Sequence, residues 1–273
     1  MNILDVKVIK DYIRMCDDGW QQGWHERNGG NLTYRMKDNE VEECRPYFKE
    51  KREWVNMGVQ ANNLKGQYFI TTGSGKYFRN VILSPEESIG IVEINEEGDS
   101  YRIVWGLLDG ARPTSEFPSH FLNHSVKKEA MGDGYRVIYH AHPVNIIAMT
   151  FFMPLCDREF TRALWKCISE CPVVFPKGVG IVDWMMPGGI DIAIATSELM
   201  KKKDAVVWAH HGIFCAGTDF DDTFGLMHTI EKAASIYTTA LSCGQGIKKD
   251  ITDDQIRALE IDFDIEIDKS YLD

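Results

Sequence analysis

His140 and His142 stand one residue apart at the end of an apolar run, Val137-Ile138-Tyr139. The β-branched and aromatic residues of that run predict a buried strand. Alternate side chains of a strand share a face, so both imidazoles point the same way while Ala141 points opposite. A catalytic zinc usually has three protein ligands and one open position, and two such histidines are a good half of that set. The plainer alternative is a pair of strand-end histidines bonded to backbone. A third ligand is on offer in Trp208-Ala209-His210-His211-Gly212, read as a second buried strand, Asp204 to His211, ending in histidine. Alternation lets only one of that pair face the site, and Gly212 permits a sharp turn or a close approach. Glu116 lies at a loop-to-helix junction beside Thr114 and Ser115. There it can simply complement a helix dipole. Next to a Lewis-acid metal, it can instead take or return a proton on a carbon adjacent to a carbonyl.

Two loops of small residues, Asn28-Gly29-Gly30-Asn31 and Thr72-Gly73-Ser74-Gly75, can offer backbone N–H groups and short polar side chains to a phosphate. Neither has the glycine spacing of a P-loop ahead of Lys76. Arg27, Arg35, Lys76 and Arg79 lie near them in sequence.

These residues need a scaffold. Asp5 to Trp24 carries apolar residues at steps of three or four and predicts an amphipathic helix. Strands are expected over Leu32–Met36, Gln67–Thr71, Ser88–Ile94 and Tyr101–Trp105, the last two joined by the turn Glu96-Glu97-Gly98-Asp99. Residues 37–65 read as an irregular, charged insertion. A helix follows Pro113-Thr114-Ser115-Glu116, capped by Thr114 or Ser115, and runs to about Met131. Further on, helices are expected over Val144–Phe152, Arg158–Glu170, Gly189–Lys202, Asp219–Ser242 and Asp253–Ile261, and strands over Pro172–Phe175 and Val179–Trp184. Helices interspersed with hairpin-joined strands predict a mixed sheet covered on both faces, in one domain spanning 1–273.

The whole chain limits the partners. Thirty basic against 41 acidic side chains give a net charge of -11, which argues against nucleic acid and anionic membranes. The first residues do not form a secretory signal, and the longest apolar stretch, Val144 to Cys156, is too short to span a bilayer. Seven cysteines without a Cys-x-x-Cys pair point to reduced thiols in the cytoplasm, with Cys167 and Cys171 structural.

Taken together and in order, Asn28-Gly29-Gly30-Asn31-Leu32-Thr33, Thr71-Thr72-Gly73-Ser74-Gly75-Lys76, Pro113-Thr114-Ser115-Glu116, His140-Ala141-His142 and His211-Gly212 resemble the motifs of class II aldolases of the fuculose-phosphate type. The flanking runs Trp24-His25-Glu26-Arg27, Phe78-Arg79-Asn80-Val81, Val174-Phe175-Pro176 and Asp222-Thr223-Phe224-Gly225-Leu226 look closest to the rhamnulose-phosphate branch of that family. The likeness covers nearly the whole chain and is weakest over 37–65 and the C-terminal tail. It implies a three-layer α/β/α sandwich on a mixed, mostly antiparallel sheet, and a four-fold symmetric homotetramer with sites near subunit interfaces. It implies one Zn2+ per subunit on His140, His142 and His211, the last because the family's ligand directly precedes the glycine. Glu116 becomes the acid/base. Asn28, Asn31, Ser74, Gly75, Thr114 and Ser115 would hold the phosphate, and Glu170 would reach a neighbouring subunit's site. The implied reaction is reversible cleavage of L-rhamnulose 1-phosphate to dihydroxyacetone phosphate and L-lactaldehyde in rhamnose breakdown. Alternatives on the same scaffold are a fuculose-phosphate aldolase, a pentulose-phosphate epimerase and a non-enzymatic adducin-like module. Cobalt or manganese could stand in for zinc on imidazole ligands.

Overall fold

Alternation along three neighbouring strands divides the molecule into layers. The computed structural model describes residues 2–49 and 52–273. In chain order its elements are α1 (Lys7–Gln21), β1 (Asn31–Arg35), α2 (Asp38–Cys44), β2 (Val55–Asn56), β3 (Tyr68–Thr72), α3 (Phe78–Val81), α4 (Pro85–Ser88), β4 (Ile89–Ile94), β5 (Ser100–Gly106), α5 (Phe117–Met131), β6 (Val137–Ala141), α6 (Val144–Met149), α7 (Asp157–Trp165), α8 (Glu170–Val174), β7 (Val179–Val182), α9 (Ile190–Met200), β8 (Ala205–Trp208), β9 (Gly212–Gly217), α10 (Phe220–Ser242) and α11 (Asp253–Asp262). The strands form one nine-stranded sheet ordered β2-β5-β4-β3-β1-β6-β9-β8-β7. Among the described residues only β7 and β8 pair in parallel. The expected mixed, mostly antiparallel sheet between helical layers is what the chain forms.

On β1, β6 and β9 the odd and even residues go to different cores. Leu32, Tyr34, Val137, Tyr139, Ile213 and Cys215 join the core beneath α1 and α10. Ile138, Phe214 and Ala216 join a second core that also includes Ile192 and Met200 of α9. Phe69 of β3 packs with Phe117 and Phe121 of α5 in a third. Burying a side chain such as Phe121 contributes about 1.5–3 kcal/mol, so α5 is anchored on the sheet. Asn31, Thr33 and His140 alternate with residues of the first core, so they lie on the sheet face opposite α1 and α10.

Several expectations are corrected. The N-cap of α5 is Glu116 itself, without a side-chain cap bond, not Thr114 or Ser115. The Thr114 hydroxyl instead accepts the Glu116 N–H at 3.3 Å. Pro172–Phe175 lies largely in α8, not in a strand. A proline in the first turn suits a helix and outweighs the β-branched pair Val173-Val174. The preceding helix stops at Trp165, so Glu170 opens a helix where it was expected to close one. The expected strand to His211 ends at Trp208, and the unforeseen β9 returns antiparallel to it. Residues 37–65 are not wholly irregular: they hold α2 and the edge strand β2. Glu50 and Lys51, within that stretch, lie outside the described residues. Among the described residues no helix is long and apolar enough to cross a membrane.

Candidate active site

The metal candidates meet where the end of β6 lies beside the turn between β8 and β9. His140 is the penultimate residue of β6, His142 follows the strand, and His211 ends the short turn between β8 and β9. The Nε2 atom of His140 lies 3.3 Å from that of His142 and 3.4 Å from that of His211. All three ligand nitrogens lie within 4.8 Å of one another. A tetrahedral ion with metal–nitrogen bonds of about 2.0–2.1 Å has ligand–ligand edges of about 3.3–3.4 Å. The observed separations are therefore those of a metal cradle.

The outer nitrogens support the same reading. His140 Nδ1 donates to the Ile213 carbonyl at 3.1 Å, and His142 Nδ1 donates to the Glu26 carboxylate at 2.8 Å. Each bond fixes the tautomer that turns the Nε2 lone pair inward, as metal-bound imidazoles require. Burial, and then the neighbouring imidazoles, push His140 well below the ordinary histidine value. His211 is pushed down to about 4, chiefly by burial. Both rings are neutral near pH 7 and free to ligate. Gly212 is required here: a Cβ would meet the Ala141 carbonyl oxygen at 2.4 Å and His140 Cε1 at 3.0 Å. That close approach is what brings His211 to its partners.

His210 is turned away. It adopts a left-handed backbone at φ 60°, takes Thr150 as a partner and packs edge-on against Phe151. The hairpin turn, not strand alternation, selects between the two adjacent histidines.

Glu116 Oε2 sits 3.7 Å from His140 Nε2 and accepts the Asn31 amide at 2.7 Å. Burial raises its pKa above the usual glutamate value, opposed by the Asn31 bond and by His142. The loops expected to flank it are held together. Gly73 bridges Pro113, Ser74 N–H donates to the Arg112 carbonyl, and Thr114 N–H donates to the Thr72 carbonyl. Ser74, Gly75, Thr114, Ser115 and Glu116 thus share one rim, with Ser74, Gly75 and Ser115 exposed. Asn28 is exposed on the first loop, whereas Asn31 is buried. Gly30, at φ +73°, leaves no room for a side chain against His25 Nδ1 and the His140 carbonyl. Arg35 belongs elsewhere: it is fully buried and binds Asp133 at the far end of β1. Glu170 is likewise apart, exposed beside His228 and Lys232.

Four residues escaped the sequence reading. Glu26 carries no local signal. Glu231, on α10, accepts the N–H groups of Asn145 and Ile146 and so pins α6 directly after the His142-Pro143 step. His120 and His124, both buried, bond Thr33 at 2.8 Å. Their spacing of four from Glu116 was a legible signal, because it places all three on one helix face.

Known proteins bear on the site as a whole. Residues 10–238 match the family model described as Class II Aldolase and Adducin N-terminal domain. The chain is 44% identical over 273 residues to rhamnulose-1-phosphate aldolase of Listeria monocytogenes serotype 4a, with 99% of this chain and 98% of that protein covered. It is 43% identical over 271 residues to rhamnulose-1-phosphate aldolase of Klebsiella pneumoniae subsp. pneumoniae, with the same coverage. Among solved structures, a sugar-phosphate aldolase from Thermotoga maritima superposes with a TM-score of 0.75 at 27% identity, over 88% of this chain and 97% of that one. An L-fuculose 1-phosphate aldolase shares the fold with a TM-score of 0.61 at 18% identity, over 94% and 96% of the two chains. With its mixed sheet, its three converging imidazoles and these relatives, the chain belongs to the class II aldolase and adducin family.

Proposed function

We infer that this chain is a metal-dependent aldehyde-lyase that reversibly cleaves L-rhamnulose 1-phosphate into dihydroxyacetone phosphate and L-lactaldehyde. Near-full-length identity of 41–44% to rhamnulose-1-phosphate aldolases supports the substrate. The observation that carries the chemistry is a carboxylate 3.7 Å from one of three mutually converging imidazoles.

His140, His142 and His211 are the residues that would hold the ion, and zinc, one per subunit, is the identity we assign to it. A divalent ion held there would act as a Lewis acid and stabilise the negative charge that develops on the triose half as the carbon–carbon bond breaks. The residues of the chain do the rest. The bond between C3 and C4 breaks, its electron pair moves toward the C2 carbonyl, and the C4 hydroxyl passes its proton to solvent as the aldehyde forms, while solvent reprotonates Glu116 after it has given its own. Glu116 delivers a proton to C3, and in the condensation direction it removes one. Its raised pKa suits both duties better than an ordinary, more acidic carboxylate would. No Schiff-base lysine is needed.

Asn28, Asn31, Ser74, Gly75, Thr114 and Ser115 are assigned to the phosphate. Their short side chains and backbone N–H groups provide local donors that offset the chain's net charge of -11. A homotetramer is the proposed assembly, with Glu170 serving a neighbouring copy. It is supported by apolar side chains left open beside the site, Val144 at 68% and Phe151 at 72% exposure. Seven free thiols fit a reducing, cytoplasmic setting.

The test is release of dihydroxyacetone phosphate from L-rhamnulose 1-phosphate before chelation, after chelation and after zinc add-back. Loss and recovery of triose release are expected. Epimer formation without triose release would reject the assignment.

A further inference from the structure

We propose that Asn31, His120, Thr33 and His124 form a one-way hydrogen-bond relay that fixes the Glu116 carboxylate, with His120 and Thr33 as positioning residues for the proton transfer. The proposal rests on the assignment of Glu116 as acid/base.

The relay arises from two matching periods. Glu116, His120 and His124 are four residues apart at the start of α5, so they stack along one helix face. Asn31 and Thr33 are two apart on β1 and point from the sheet toward that helix. Four helical residues advance about 6 Å, and two strand residues advance about 6.6 Å. The two rows therefore interleave. Asn31 lies between Glu116 and His120, and Thr33 lies between His120 and His124. Thr33 and His120 are wholly inaccessible and His124 is 1% exposed, so no solvent completes these bonds.

Direction follows from one starting fact. Asn31 Nδ2 donates to Glu116 Oε2 at 2.7 Å, an oxygen that accepts when the residue acts as base. The Asn31 amide oxygen then faces His120, and His120 Nε2 must carry the proton that it donates. His120 Nδ1 is left as an acceptor and takes the Thr33 hydroxyl proton at 2.8 Å. The Thr33 oxygen in turn receives the N–H of His124 Nε2, also at 2.8 Å. Reversing the chain would set the Asn31 oxygen against a carboxylate oxygen at the same 2.7 Å. Glu116 has no side-chain bond to its own helix end, so the amide is its anchor. The relay thus determines which way an amide flips two bonds away from the reacting proton.

The test reads tautomers and turnover separately. Imidazole 15N resonances of the full-length, metal-free protein at pH 8 should show His120 and His124 protonated at Nε2. Thr33→Val is nearly isosteric and removes the hydroxyl. It should shift the His120 tautomer and lower kcat about 10- to 100-fold through misplacement of the carboxylate, with KM changed less than about twofold. Thr33→Ser restores the hydroxyl and should recover both the resonances and most of kcat. A wild-type His120 protonated at Nδ1 overturns the relay, as does a folded Thr33→Val protein with unchanged kcat. Should Thr33→Val not fold, the wild-type resonances and the Thr33→Ser protein decide alone. Failure of the unmodified protein to cleave rhamnulose phosphate would count against the substrate but not the relay, because the tautomers are read without substrate or metal.

Discussion

Two sets of histidines in this molecule, one with buried His140 beside half-buried His142 and His211 and one wholly buried, differ in what their nitrogens face. In His140, His142 and His211 the inner nitrogens point at one another across 3.3 and 3.4 Å. In His25, His120 and His124 the bonded nitrogens meet a protein partner. His25 bonds the Gly29 carbonyl and the Tyr139 hydroxyl, and stacks on Phe78. His120 and His124 share Thr33. The first set is incomplete without a cation, whereas the second is satisfied by the fold. Burial alone therefore does not make a histidine a ligand; the direction of its second nitrogen does.

The sharpest way to break this contrast is to remove a member of the first set. His142→Ala should abolish stoichiometric metal binding and lower turnover roughly 1,000-fold or more, since the ion supplies several kcal/mol of charge stabilisation. Full metal content by elemental analysis in that protein would end the distinction. Next in size, Glu116→Ala should cost about 10²–10⁴-fold in kcat while the metal stays bound. Near-normal turnover would remove its acid/base role. Glu26→Gln keeps the shape of the His142 partner but loses its charge, and should weaken metal affinity about 10- to 100-fold. A competition titration with a chromophoric chelator measures this.

The second set should appear in stability instead. Burial pushes His25 and His120 down to about 3, whereas an unfolded histidine titrates near 6.5. Above that value both are neutral in both states, and their contribution to stability is fully present. As pH falls from about 6.5 toward 3 the unfolded chain gains protons that the folded one refuses, so each group costs about 1.4 kcal/mol per pH unit. Urea unfolding midpoints of chelated protein should decline through that window. A flat profile would show that these rings are not held neutral.

Much of the site was legible because its residue types are unusual and closely spaced. His140 and His142 revealed themselves by strand period, and Glu116 by its place before a helix. The choice between His210 and His211 was not legible from alternation, because the chain turns at Ala209 and His210 takes a left-handed backbone. The unforeseen β9, Gly-Ile-Phe-Cys-Ala-Gly, is a short apolar run whose partner is decided by tertiary pairing. Residues 172–175 misled because β-branched residues signal strand preference more weakly than a proline in the first turn of a helix signals its own. The sheet with helices on both faces followed from the interspersed pattern, but the order of nine strands did not, since sequence period carries no information on lateral neighbours.

One pairing has a further consequence. Asn31 and His140 are direct cross-strand partners in the β1–β6 ladder. The anchor of the proposed acid/base and the proposed central metal ligand therefore share a single rung. A slip of one residue would turn the whole β1 face over, and carboxylate and cation would part company together. A chain trapped in that misregistered state would keep its three imidazoles, which sit at the end of β6 and in the β8–β9 turn, yet lose the anchor of the carboxylate, so only the two functions measured together report that the middle of the sheet has closed correctly.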